Sequence, residues 1–189
     1  MQHAANKESA IVSESARTED ISNRELVLGA GNSHVKKLRR PGVSNKFENP
    51  TTLDILGSPD VVHDLNVRPL PFEDGEFTEI HAYEVLEHIG TQGDWMGFFE
   101  EFDEYHRILT PNGMLYASVP SLQSRWLWGD PGHTRVISAE TLTFLDRKQY
   151  EKQVGSGAMT DYRDIYSGDF RLIYELDDGE TYWFVLRRI

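Results

Sequence analysis

The chain has 189 residues, 39% hydrophobic and 26% charged, a composition that predicts a single globular domain with its own core. The net charge of -12 disfavours long nucleic acid as a partner, and the absence of cysteine excludes disulfides, thiolate metal sites and a cysteine nucleophile. No apolar run approaches the roughly 18 residues of a membrane helix, and no secretory signal is recognisable, so we expect a cytoplasmic protein with no membrane partner.

The first half of the sequence contains a polar segment and then three short apolar runs. Residues 1–20 are polar and are interpreted as an N-terminal arm, with residues 21–189 as one domain. Bounded by turn residues, the apolar runs predict strands over 25–29 and 51–56, and a short strand or an extended connection over 60–65. The connection between the first two strands, basic and helix-like at its start, has room for only a short helix.

The second half alternates between the two periodicities and ends in a hairpin. Its predicted elements are a strand that runs into a helix start (77–86), an amphipathic helix (93–109) stopped by "TPNG", a strand (114–120), a helix with Ser138 as N-cap (138–147) and a hairpin around Asp178-Gly179 (169–189). Strand–helix alternation predicts an α/β fold, a doubly wound, mostly parallel sheet with helices on both faces. The hairpin closes this sheet with antiparallel strands.

Candidate ligand-binding residues follow the predicted strands. "GAGNSH" has glycines at 29 and 31, but His34 stands where a dinucleotide fingerprint has its third glycine, so the turn alone does not identify a cofactor. Asp54 ends the second strand, where a carboxylate can accept the hydroxyls of a ribose. Asp64 follows the third strand, where an acid can accept the amine of adenine while the backbone of Leu65 meets the ring.

Longer motifs carry a family resemblance. "LVLGAGNS", "LDIL", "VVHDLNVRPLPFEDGEFTEIHAYEVLEHI" and "EEFDEYHRILTPNGMLYASVP" resemble the successive motifs of class I S-adenosylmethionine-dependent methyltransferases, in particular a small type 11-like domain, over residues 25–145. The resemblance implies a Rossmann-like fold and S-adenosyl-L-methionine as cofactor. The cofactor-binding residues it implies are Gly29, Ala30, Gly31 and Asn32 for the methionine part, Asp54 and Ile55 for the ribose, Asp64 and Leu65 for the adenine, and Glu84 near the sulfonium. Val27 departs from the family pattern, which often has an acid there.

The chemistry that this resemblance implies is displacement at an activated methyl group, for which the protein aligns donor and acceptor. A hydroxyl or ammonium acceptor also needs a base, and histidine suits that role. His133, in the Pro/Gly-rich loop 128–138, and His88, in "EVLEHI", are the candidates, and Arg135 is a candidate clamp for an anionic group. No metal cluster of His, Asp and Glu with helical ligand spacing stands out in the sequence, so we expect no metal.

Three functions remain open on the sequence. The first is a methyltransferase that acts on O or N of a small molecule, and the second is a non-catalytic S-adenosylmethionine-binding module with a regulatory or assembly role. The third is a nicotinamide-dependent oxidoreductase. This function would need the third glycine, which the sequence lacks, and it gives no role to Asp64 or to "EVLEHI". "SVPS" (118–121) also lacks the polar residue and second proline of amino-directed DNA methyltransferases, which disfavours DNA adenine as acceptor.

Overall fold

A computed structural model describes residues 24–31 and 35–189, so the predicted arm over 1–20 lies outside the described residues. In chain order the elements are β1 (Glu25–Leu28), β2 (Pro50–Asp54), β3 (Val61–Val62), β4 (Phe77–Tyr83), a 3-10 turn (Leu86–His88), α1 (Trp95–Ile108), β5 (Leu109–Pro120), α2 (Ala139–Thr143), α3 (Arg147–Gln153), β6 (Phe170–Asp177) and β7 (Thr181–Arg188). None of the helices in this part of the chain is long and apolar enough to cross a membrane.

All seven strands form one sheet in the order β3-β2-β1-β4-β5-β7-β6. The five strands β1 to β5 are parallel, whereas β7 lies antiparallel between β5 and β6. This arrangement confirms the predicted α/β class and its closing hairpin. The strand order reverses between β1 and β4, where Leu28 is level with Leu53 on one side and Ala82 on the other. Open α/β sheets bind ligands at such a reversal, outside the carboxyl ends of the strands.

The main core fills one face of the sheet. Alternate residues of β1, β2, β4, β5 and β7 point into it, which is the period of a strand. These residues are Leu26, Leu28, Leu53, Ile80, Ala82, Leu115, Ala117, Val119, Tyr182, Phe184 and Leu186. Helix α1 covers them with Phe99, Phe102, Tyr105 and Ile108, three or four residues apart as predicted for an amphipathic helix. Asp94 caps this helix by accepting a hydrogen bond from the Gly97 amide at 3.1 Å.

The opposite face of the sheet carries buried charges under a loop. Residues 35–49 contain no helix and are held by a β-bridge between Val35 and Lys46. This loop places Lys36 between Glu25 of β1 and Glu79 of β4, with its ammonium 2.7 Å from Glu79 Oε2. Over residues 35–49, a loop therefore covers this face in place of a helix. The expected helix is absent because the short connection instead delivers a buried cation to two carboxylates.

The predicted stop "TPNG" is part of a strand. Helix α1 ends at Ile108, and β5 begins at the next residue. Leu109 pairs with Phe77 and Met114 pairs with Glu79, so the residues between them form a bulge. Asn112 adopts a left-handed φ of 65° in this bulge, a conformation that asparagine tolerates better than most residues. The turn residues thus redirect the chain without interrupting the strand.

Candidate functional site

The turn after β1 has a backbone that only glycine adopts easily. Gly29 has a φ of +57° and Gly31 a φ of +46°. A Cβ added to Gly29 would lie 2.5 Å from Cγ2 of Val85, whereas one added to Gly31 would meet no atom within 4 Å. The amide of Gly31 donates to Asp54 Oδ2 at 3.2 Å. The first glycine therefore permits close packing, and the second leaves open space above the carboxyl end of β1.

Asp54 is fixed by two backbone amides at the end of β2. Its Oδ2 accepts from Gly31, and its Oδ1 accepts from Leu56 at 3.0 Å. A carboxylate has about four lone-pair positions, so two acceptor positions remain for a ligand with two hydroxyls. Ile55 beside it is 57% exposed, and Ala30 in the glycine turn is buried. The structure thus joins these predicted residues at one point of the sheet edge.

Asp64 lies next to this point because Val62, two residues earlier, pairs with Asp54. Its Oδ1 accepts hydrogen bonds from the amide of Asn66 at 2.9 Å and from the Asn66 side chain at 3.1 Å. These bonds lower the pKa of Asp64 below its usual value, so the group is a negative acceptor at neutral pH. Leu65 is half-buried and packs against the core.

Glu84 follows β4 with a left-handed φ of 56°, a rare conformation for a residue with a Cβ. Ser118 of the neighbouring strand β5 holds it in two ways. The Ser118 hydroxyl donates to Glu84 Oε1 at 2.6 Å, and the Glu84 amide donates to the Ser118 carbonyl at 2.9 Å. Sequence reasoning missed this serine as a site residue, although its place near the carboxyl end of a predicted strand was a usable signal.

His88 and His133, which were predicted separately as candidate bases, lie side by side. Their ring centroids are 4.7 Å apart, and His133 Nε2 lies 3.9 Å from Oε1 of Glu87. Glu87 was not predicted, although it lies between Glu84 and His88 in "EVLEHI". Its side chain is 1% exposed, and burial raises its pKa to about 8.

A cleft of about 430 Å³ opens between Glu84 and the loop after β5. Among the described residues, its lining contains four acids, two histidines and no lysine or arginine. The lining residues are Glu84, Glu87, His88, Pro120, Ser124, Trp126, Asp130, His133, Glu180 and Thr181. Such a lining favours a cationic or neutral occupant over an anionic one.

Arg135 is placed in the core beside this cleft. Its guanidinium lies 2.7 Å from Glu101 Oε2 and its Nε donates to the Leu86 carbonyl at 2.8 Å. The residue is 4% exposed and Glu101 is also buried. In this arrangement Arg135 compensates a buried carboxylate of α1, and its role as a clamp for a substrate stays a prediction.

Two further predictions concern Asn32 and the absence of a metal site. Asn32, predicted to bind the cofactor, lies outside the described residues. The expectation of no metal rested on i, i+4 spacing. Among the residues described, however, Glu87, His88 and His133 bring three potential ligand atoms within 4.8 Å of one another.

Comparisons with known proteins find similarity in structure but not in sequence. No protein-family model and no curated protein matches the sequence. The N-methyltransferase NodS from Bradyrhizobium japonicum WM9, in complex with S-adenosyl-l-homocysteine, matches with a TM-score of 0.52 and 16% identity over 88% of this chain and 78% of that chain. A SAM dependent methyltransferase from Aquifex aeolicus matches with a TM-score of 0.50 and 11% identity, covering 89% of this chain and 86% of that chain. At these identities the likeness shows the fold, and the Rossmann-like fold implied by the sequence resemblance is confirmed.

Proposed function

We propose that this chain is an S-adenosyl-L-methionine-dependent methyltransferase that transfers a methyl group to O or N of a small molecule. One observation carries the proposal: the glycine turn, Asp54, Asp64 and Glu84 follow four neighbouring strands and meet at one edge of the sheet. The fold shared with NodS, which was solved with S-adenosyl-l-homocysteine, supports the same choice of ligand.

The residues at this edge fit the chemistry of the cofactor. Gly31 leaves open space where a side chain would otherwise stand, so the methionine part can approach the backbone. Asp54 offers its remaining acceptor positions to the two ribose hydroxyls, and the ionised Asp64 accepts the adenine amine. When bound, the cofactor supplies a methyl group on a positively charged sulfur. Glu84, fixed by Ser118, would place a negative charge near that sulfur.

The acidic cleft is the proposed acceptor site. Its volume of about 430 Å³ suits a small molecule, and its charge disfavours phosphate-bearing partners. His88 and His133 lie in its wall, where they can assist the loss of a proton from a hydroxyl or ammonium acceptor. The acidic lining also favours an amine as acceptor, because an ammonium is attracted before it loses its proton.

Calorimetric titration tests the cofactor assignment. We expect S-adenosylhomocysteine to bind and NAD to give no heat of binding. Asp54→Asn and Asp64→Asn keep the side-chain shape but remove the charge. We expect each to weaken binding about 10- to 100-fold, since a hydrogen bond to a charged group contributes about 1.5–3 kcal/mol. Asp60→Asn is the control, because exposed Asp60 lies between the two acids in sequence and bonds to Thr52 instead. Equal affinities for all three variants would contradict the assignment.

Turnover separates catalysis from a non-catalytic binding module. The protein is supplied with S-adenosylmethionine and a panel of small amines and alcohols, and formation of S-adenosylhomocysteine is measured. We expect turnover with at least one amine and a loss of turnover in His133→Ala with the affinity for S-adenosylhomocysteine retained. Tight binding without turnover on the whole panel would favour the regulatory or assembly module.

A further inference from the structure

The wall of the acidic cleft holds a cluster of three side chains, Glu87, His88 and His133, which we call the EHH cluster. Glu87 and His88 come from the 3-10 turn after β4, and His133 comes from the loop after β5. Each side chain offers one ligand atom, and these atoms lie within 4.8 Å of one another. The two elements are joined by backbone hydrogen bonds, because the amide of Thr134 donates to the Glu87 carbonyl at 2.9 Å.

The carboxylate of Glu87 is buried without a donor. Its side chain is 1% exposed, and neither of its oxygens accepts a hydrogen bond from another described residue. A buried carboxylate in this state is unfavourable unless a cation compensates it. The nearby guanidinium of Arg135 is already bonded to Glu101 and to a backbone carbonyl. His133 of the cleft wall lies close to this carboxylate, with its Nε2 3.9 Å from Glu87 Oε1.

The two histidines are oriented as metal ligands usually are. Nδ1 of His88 lies 3.0 Å from the carbonyl oxygen of Gly132, and Nδ1 of His133 lies 3.1 Å from that of Leu127. A carbonyl oxygen only accepts, so each Nδ1 carries the proton and each Nε2 carries the lone pair. A histidine that binds a metal typically donates its other ring N–H to a carbonyl or carboxylate in this way.

We propose that the EHH cluster binds one divalent transition-metal ion. Two imidazole nitrogens and one carboxylate suit Fe²⁺, Co²⁺ or Zn²⁺ better than Mg²⁺ or Ca²⁺, which prefer oxygen ligands. The ligand atoms of the cluster lie up to 4.8 Å apart, which is farther than ligand atoms around one such ion, so the three side chains move closer together when the ion binds. The i, i+4 rule misses this site because its ligands come from two separate segments.

The role of the ion rests on the proposed function. The cluster shares the cleft with Glu84, which would stand near the sulfonium, so the ion would stand on the acceptor side. A bound cation polarises an oxygen or nitrogen of the acceptor and lowers its pKa. The histidines would then assist proton loss by holding the ion rather than by taking the proton themselves.

Cobalt binding tests the site without any measurement of activity. The full chain, expressed without an added histidine tag and treated with a chelator, is titrated with Co²⁺ and followed by calorimetry and visible absorption. We expect one Co²⁺ per chain, d–d absorption bands and no competition from Mg²⁺ in equal concentration. Glu87→Gln and His88→Ala should each weaken binding at least about 10-fold. His88 is exposed, so its replacement should not affect folding.

Control variants make the result decisive. His63→Ala removes a histidine that bonds to the Val67 carbonyl outside the cluster, and it should leave Co²⁺ affinity unchanged. Absence of saturable Co²⁺ binding in the wild type, or equal affinity in Glu87→Gln, His88→Ala and His63→Ala, would overturn the proposal. S-adenosylhomocysteine affinity is measured on the same samples. Its retention alongside absent Co²⁺ binding would refute the metal site alone, and its loss in the wild type would refute the proposed function.

Discussion

The two glycines of the turn after β1 make a matched pair for mutation. Both have a left-handed φ, so alanine at either position carries a conformational cost of about 1–2 kcal/mol. Only the Cβ at position 29 meets another side chain, at 2.5 Å from Cγ2 of Val85. Relieving that overlap adds about 1–3 kcal/mol, the usual cost of overpacking. We therefore expect Gly29→Ala to lower the free energy of unfolding by about 2–5 kcal/mol and Gly31→Ala by about 1–2 kcal/mol.

Urea unfolding at neutral pH measures both values, and a double-mutant cycle isolates the overlap. Val85→Ala removes both Cγ atoms, so the loss caused by Gly29→Ala should shrink to the conformational cost in the Val85→Ala background. Gly31→Ala should show no coupling to Val85→Ala. Equal losses of unfolding free energy at the two glycines, or no coupling between positions 29 and 85, would refute the inference that close packing against Val85 requires a glycine at position 29.

Two further predictions concern buried charges. Burial opposes ionisation of Glu79, but hydrogen bonds from His81 and Lys36 outweigh it and lower its pKa from 4.5 to about 2. A lowered pKa stabilises the fold above the unfolded-state pKa, and this stability is lost as the pH falls from about 4.5 to 2. The shift corresponds to about 3 kcal/mol. On acidification the wild type should therefore lose about 3 kcal/mol more unfolding free energy than Glu79→Gln, as measured by urea unfolding across this pH range. Parallel plots of unfolding free energy against pH for the two proteins would contradict the prediction. Arg135→Met should destabilise the fold by about 3 kcal/mol because it removes the closer of the two cations beside buried Glu101 and leaves only Arg68, at 3.5 Å. Unchanged thermal stability with weaker binding of an anionic acceptor would instead support the predicted clamp.

Much of the fold could be predicted because its signals are local. The spacing of Phe99, Phe102 and Tyr105 defines one helix face, and Asp178-Gly179 defines the hairpin turn. The loop over 35–49 could not be predicted in the same way. The basic residues around Lys36 suggest a helix. The structure of the loop instead depends on the ion pairs of Lys36 with Glu25 and Glu79, which lie on two strands distant in sequence.

In the candidate site, too, residues that depend on local sequence could be predicted, and residues that depend on contacts distant in sequence could not. Asp54 and Asp64 could be predicted because the carboxyl ends of parallel strands meet at one edge, so position along a strand is enough to locate them. Glu87 could not, since its lack of a donor depends on the turn after β4 and on the loop that covers it. Arg135 was predicted to face a ligand, whereas its burial depends on Glu101, a residue of α1 that periodicity alone does not mark as paired.

Asn66 connects parts of the sheet edge that are far apart in sequence. Its amide and side-chain nitrogens donate to Asp64, and its side-chain oxygen accepts from the amide of Gly90 at 2.8 Å. Two residues further on, Gln92 donates to the carbonyl of Thr134, next to His133. One carboxamide therefore connects the part of the edge proposed to bind the nucleoside with the acidic cleft. Because Asn66 bonds to both Asp64 and Gly90, a change in the length of either of these two loops would alter the distance between the two parts of the edge.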